Sequence, residues 1–195
     1  MGEPVRLTLD EAERLAFDAL RACGTQETAA LATARALVAA EADGQAGHGL
    51  SRVPSYALQA RSGKVNGSAV PRLARVAPAA LRIDADFGFA YPAIDLAIGE
   101  LAALARAQGI AVAAIHHSHH FGQVGAHAER LARQGLVALI FGNTPKAMAF
   151  WGGRKPMLGT NPLAFASPWF DADGSAATPP LVIDLALSVA ARGKI

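Results

Sequence analysis

The chain has 195 residues, 52% hydrophobic and 17% charged, a composition that buries a core and excludes a disordered chain. Its formal net charge of +2 is a deficit of two charges in residues 1–100 and a surplus of four in residues 101–195, with no basic run. That distribution, with 6% aromatics, is a poor footprint for nucleic acid, and the partners it fits are small molecules. The apolar stretches are alanine-rich and interrupted by Arg, Glu or Gln, so none offers the roughly 18 uninterrupted apolar residues of a membrane span. Glu3 and Asp10 stand where a signal peptide needs a basic start and an apolar run. The lone Cys23 forms no internal disulfide and fits a reducing cytoplasm, as a small buried hydrophobe on a helix rather than a catalytic thiol.

Thr8 and Glu11 make a capping box, and Ala12, Leu15, Ala16, Ala19, Leu20 and Cys23 share one helical face before Gly24. Thr25 is placed to cap a second helix, with Leu31, Ala34, Leu37, Val38 and Glu41 at helical spacing and Gly44 as terminator. Pro54 opens a shorter helix that Gly63 closes. Residues 1–70 thus read as a helical N-terminal layer, and residues 71–195 as an α/β region. In the latter, Leu73–Val76 and Leu81–Ile83 read as short strands, and about Pro92 to Gln108 as a long helix ended by Gly109. The run Ile110–Ile115 predicts a strand buried on both faces, followed by a helix over Gln123–Gln134 and a second buried strand over Leu136–Phe141. Strand, helix and strand in succession predict a mostly parallel sheet with a right-handed crossover. Leu163–Ala166 and Leu181–Ile183 read as strands around a turn-rich surface excursion over Asp171–Pro180, and the chain looks truncated at its C-terminus.

Three segments carry candidate chemistry. The first, from His116 to Gly125, holds four imidazoles where a buried strand meets a helix, the place where parallel α/β sheets bind ligands. Amides from Gly122 onward are candidates for holding an anion there. No carboxylate or cysteine lies near in sequence to complete a metal shell, so no metal is expected, and the bland alternative is a His-rich turn with one or two hydrogen-bonded rings. His127 reads as a helix-surface side chain. In the second segment, Gly44 to Arg52, a local helix would put His48 and Arg52 on one face, pairing a proton donor with a guanidinium able to grip a carboxylate at two points. Without such a helix they are an exposed His and a solvated Arg in a glycine loop. The third, Asn143 to Phe165, offers Thr144, Thr160 and Asn161 just past buried strands among glycines. It contains neither G-x-G-x-x-G nor G-K-[ST], so an ordinary Rossmann fingerprint and a P-loop are absent.

The blocks HGLSRVPSYALQARSGKVNG, SHHFGQVGAHAERLARQGL, NTPKAMAFWGGRKPMLGTNPLAFASP and VIDLALSVAARGKI together resemble the malate/L-lactate dehydrogenase family of NAD(P)-dependent oxidoreductases, over most of residues 8–195. The resemblance implies a non-Rossmann α/β fold, usually a homodimer, that binds NAD or NADP between its domains. It implies hydride transfer to or from a small 2-oxo/2-hydroxy acid or a cyclic 2-imino acid, by an enzyme about twice as long. Carried over by motif, His48 is the proton donor, with His120 as the other candidate, and Arg52, Thr160, Arg192 and Gly193 contact substrate. His120, Phe121, Gly122, Thr144, Asp184, Leu185 and Ala186 contact the cofactor. Asn143–Lys146 resembles the cyclic-imine reductases more than the malate or lactate enzymes. Two positions depart from the pattern: Gly47 where Ser often precedes the histidine, and Leu187 where D-x-A-T-S has Thr. The rival readings are a metal-dependent hydrolase or lyase using the His116–His120 cluster, and a non-catalytic truncated relative.

Overall fold

The computed structural model describes residues 5–171 and 174–188. They fall into two compact units that divide between Gly122 and Gln123, so the helical layer shares its unit with the first three strands.

The first unit opens with α1 (Leu9–Ala22), held at its start by the expected capping box, in which Glu11 N–H donates to Thr8 Oγ1 at 3.2 Å and Thr8 N–H to Glu11 Oε2 at 2.8 Å. Ala12, Ala16 and Leu20 are its buried face, whereas Leu15 lies in solvent. Cys23 is the half-exposed C-cap rather than a core residue. Helix α2 (Glu27–Ala42) is capped by Gln26, not by Thr25. The backbone of Thr25 is committed to the end of α1, its N–H donating to Leu20 O at 3.1 Å and its carbonyl accepting from Arg21 Nη1 at 2.8 Å. Helix α3 (Val53–Arg61) carries Pro54 in its first turn, where its fixed φ is favoured. Tyr56 on α3 packs with Leu20, Leu37, Val65, Phe89 and Tyr91 in the core of this unit.

Strands β1 (Arg72–Ala77) and β2 (Ala80–Asp84) pair antiparallel. Helix α4 (Ala90–Gln108) then ends at Gly109, whose φ of +81° is the left-handed conformation glycine adopts freely. It leads to β3 (Val112–His116), which pairs parallel with β2. Ile83 and Ala85 meet Ala93 and Ala97 of α4 beneath that sheet.

The second unit contains α5 (Val124–Ala132) and strands β4 (Ala138–Phe141), β5 (Leu163–Phe170) and β6 (Ala176–Leu185), antiparallel in the order β4-β5-β6. Among the described residues, the single mostly parallel sheet is therefore corrected to two three-stranded sheets with one parallel pair, β2 with β3. Strands β3 and β4 belong to different sheets, so the expected crossover through α5 does not exist. The apolar run that implied it is not buried on both faces: Ile110 and Val112 are exposed. Apolarity alone does not choose a strand's partner. The excursion over Asp171–Pro180 is shorter than expected, because β5 runs to Phe170 and β6 starts at Ala176. Pro179 and Pro180 sit on an edge strand, where missing N–H donors break no interior ladder. His127, expected on the surface of α5, is 6% exposed. No described helix is long and apolar enough to cross a membrane.

Candidate active site

The segment between α2 and α3 is not the α-helix that would align His48 with Arg52. It is two 3-10 turns, Ala46–His48 and Leu50–Arg52, broken at Gly49. A side chain at Gly49 would collide with Glu41, whose Cα lies 3.0 Å from where a Cβ would stand. Glu41 instead accepts the N–H of Leu50 at 2.8 Å and fastens the turn to α2. Arg52 Nε donates to Gly47 O at 2.6 Å, tying the guanidinium to the residue before His48.

His48 meets His120 face to face, with ring centroids 5.5 Å apart and planes within 7°. His120 Nδ1 lies 2.5 Å from the hydroxyl of Tyr56. Burial, more than the opposing effects of the Tyr91 hydrogen bond and the Arg52 charge, pushes that phenol up to about 12. Tyr56 is therefore the donor and Nδ1 the acceptor, which leaves the neutral ring's proton on Nε2. Tyr91, buried and also raised, is hydrogen-bonded to Tyr56, so the two phenols and His120 form a chain. At Gly122, with φ of +67°, a Cβ would stand 2.6 Å from the Tyr91 hydroxyl. His119 faces Gln59 Oε1 through Nε2 at 3.2 Å, and its buried Nδ1 has no partner, a pattern met by the tautomer with hydrogen on Nε2.

Burial holds both His119 and His120 near 4 rather than the ordinary 6.5, with Lys64 and Arg52 adding to the effect at His119, and Arg52 and His48 at His120. Both rings are neutral at pH 7 in the folded chain. Between about pH 6.5 and 4 the unfolded chain binds more protons than the folded one, so stability contributed by these rings is complete above 6.5 and falls as pH falls. Thermal midpoints are expected to drop on acidification through that window, and His120→Gln to flatten the drop. An unchanged slope in the variant would show that His120 is not protonated on unfolding there.

Asp84, His116 and His117 form a separate cluster at the end of β2 and β3. The carboxylate missing from the sequence neighbourhood of the histidines is thus supplied across the parallel pair.

In the second unit, Thr144 and Thr160 share a hydroxyl contact of 3.1 Å. Asn161 accepts the Thr144 N–H through Oδ1 at 3.1 Å, and Thr160 O accepts the Leu187 N–H at 2.9 Å. Gly159 admits this closure because a Cβ there would fall 2.5 Å from Thr144 Oγ1. The position where Leu187 replaces threonine is therefore held by its backbone. Asp184 Oδ2 accepts the Gly125 N–H at 2.7 Å at the start of α5. That amide, expected to be available to an anion, already carries a carboxylate. Leu185 ends β6 and Ala186 follows it, while Arg192 and Gly193 lie outside the described residues. His48, Arg52, His120, Phe121 and Gly122 belong to the first unit, and Thr144, Thr160, Asp184, Leu185 and Ala186 to the second.

Sequence reasoning did not single out Tyr56 or Tyr91. Tyr56 lies four residues after Arg52 on α3, a spacing that was a usable signal, whereas nothing in the local sequence around Tyr91 indicated its contact.

Residues 7–195 match the family model described as malate/L-lactate dehydrogenase. The chain is 53% identical over 189 residues to a (2R)-3-sulfolactate dehydrogenase (NADP(+)) of Chromohalobacter salexigens, covering 97% of this chain and 55% of that protein. It is 44% identical over 195 residues to a Delta(1)-pyrroline-2-carboxylate reductase of Ancylobacter novellus, covering 100% of this chain and 55% of that one. The crystal structure of delta1-piperideine-2-carboxylate reductase from Pseudomonas syringae superposes with a TM-score of 0.83 at 36% identity, over 98% of this chain and 56% of the other. The chain spans about half the length of the curated relatives it matches. With the HGLSR, HFG and LGTNP blocks in order and this likeness along nearly the whole chain, the protein belongs to the malate/L-lactate dehydrogenase family.

Proposed function

We propose that the protein is an NAD(P)-dependent oxidoreductase that moves hydride between nicotinamide and a small 2-oxo/2-hydroxy acid or cyclic 2-imino acid. The observation that carries this reading is the grouping of His48, stacked on a His120 that Tyr56 holds, with Arg52, whose charge acts on His120, in a chain 53% identical to a sulfolactate dehydrogenase. The donor set fits a nicotinamide cofactor: His120, with Nδ1 occupied by Tyr56, retains one N–H on Nε2 for a carbonyl or phosphate oxygen, beside Phe121 and Gly122. Thr144, Asp184, Leu185 and Ala186 are assigned to the same cofactor on the resemblance, and Thr160, Arg192 and Gly193 to substrate.

The bound cofactor supplies the hydride. Reduction of C=O or C=N also requires a proton at the heteroatom, and His48 is assigned to deliver it. His120, held neutral by burial near 4, is a poor source of that proton at pH 7 and is assigned to position the cofactor instead. Arg52 holds the substrate carboxylate and thereby aims the reacting carbon. The resemblance extends the proposal to a homodimer, and the lone Cys23 to a reducing cytoplasm.

The test is an absorbance assay of reduced nicotinamide with the intact protein, using 3-sulfolactate and NADP+ in one direction and Delta(1)-pyrroline-2-carboxylate and NADPH in the other. Turnover of either substrate is expected. No turnover of these or of simple 2-oxo acids, with either cofactor, would overturn the reading.

A further inference from the structure

The cluster at the end of the first sheet is built like a metal-ion site and stands apart from the residues assigned above. In the parallel pairing, Asp84 lies opposite His116, so the two side chains leave the sheet on the same face. In a continuing strand His117 would point the other way. Its φ of +50° turns it back, a conformation uncommon for residues other than glycine and costing of order 1–3 kcal/mol. The surroundings enforce it: Phe87 N–H donates to His117 O at 2.7 Å, and the Phe87 ring stacks on His117 with centroids 4.4 Å apart.

The result is convergence of three donors. His117 Nδ1 lies 3.1 Å from Asp84 Oδ1 and 3.2 Å from His116 Nδ1, and the three ligand atoms all lie within 4.8 Å of one another. A tetrahedral ion with bonds of about 2.0–2.1 Å has edges of about 3.3 Å between ligands, close to both distances. These contacts bring three donor atoms to one point, where a divalent ion can take the place of the shared hydrogens. The carboxylate is oriented for one-oxygen ligation, since Asp86 N–H donates to Oδ1 at 2.9 Å while Oδ2 faces Arg72 at 3.6 Å.

We infer that Asp84, His116 and His117 bind one Zn(II)-class divalent transition-metal ion, with water completing the shell. Two nitrogen donors and one carboxylate select zinc, cobalt or nickel over magnesium or calcium. The ion clamps the turn that carries His119 and His120, because Ala85 N–H to His116 O at 3.0 Å and His119 N–H to Gly88 O at 3.1 Å already join the two loops.

The test titrates Co(II) and Zn(II) into metal-stripped intact protein. Expected are the intense visible bands of a low-symmetry four-coordinate Co(II) site saturating at one equivalent, displacement by Zn(II), and a raised thermal midpoint. His117→Ala and Asp84→Asn, each checked for wild-type circular dichroism, are expected to weaken binding by about 10- to 100-fold or more, whereas His48→Gln is expected to bind as wild type. Wild-type protein that takes up no cobalt at one equivalent overturns the inference. So does equal affinity in folded His117→Ala and Asp84→Asn, or loss of binding in His48→Gln alone.

Discussion

Replacing His48 with alanine is expected to slow turnover by about 100- to 10,000-fold, the usual cost of removing a general acid, with cofactor affinity nearly unchanged. The two effects separate because of how the neighbouring ring is held. His48 stacks on His120, whereas Tyr56 fixes His120 through Nδ1 at 2.5 Å, and burial is the main cause that keeps it neutral. Deleting His48 therefore removes the proton source and leaves the second imidazole aimed as before. Single-turnover rates and quenching of nicotinamide fluorescence measure the two quantities independently. A variant that keeps its maximal rate but loses cofactor would transfer proton donation to another group.

For Arg52→Lys the expected result is a rise in KM of about 10- to 100-fold, the worth of a charge-assisted hydrogen bond, with a smaller fall in kcat. The guanidinium uses Nε on Gly47 O at 2.6 Å, which leaves its terminal nitrogens to meet a carboxylate. An ammonium group keeps the charge but has no planar fork with which to serve both partners in fixed geometry. Steady-state kinetics with the preferred acid measure the effect, and an unchanged KM would remove Arg52 from the substrate site.

Helices with clear punctuation were legible in the sequence. Thr8 and Glu11 announced α1, Pro54 announced α3, and Gly109 announced the end of α4. Thr25 misled because a threonine between two helices can serve either, and here its backbone finishes α1. Sheet partnership was not legible: the runs at 110–115 and 136–141 look alike, but β3 pairs with β2 and β4 with β5. Among site residues, chemistry near in sequence could be read, as with His48 and Arg52. The contacts of Tyr56 with His120 and of Asp84 with His117 join residues 64 and 33 positions apart, and only tertiary packing creates them.

The carboxylate at the start of α5 also bears on the order in which the second unit folds. Helix α5 has nine residues, and its N-cap Gln123 gives it no side-chain hydrogen bond, so it is too short to persist alone in water. Its opening amide is satisfied instead by Asp184, 59 residues later on the edge strand β6. Closing so long a loop comes before the reward. The helix can form against β4 and β5, but its opening amide gains this partner only once β6 has docked beside β5.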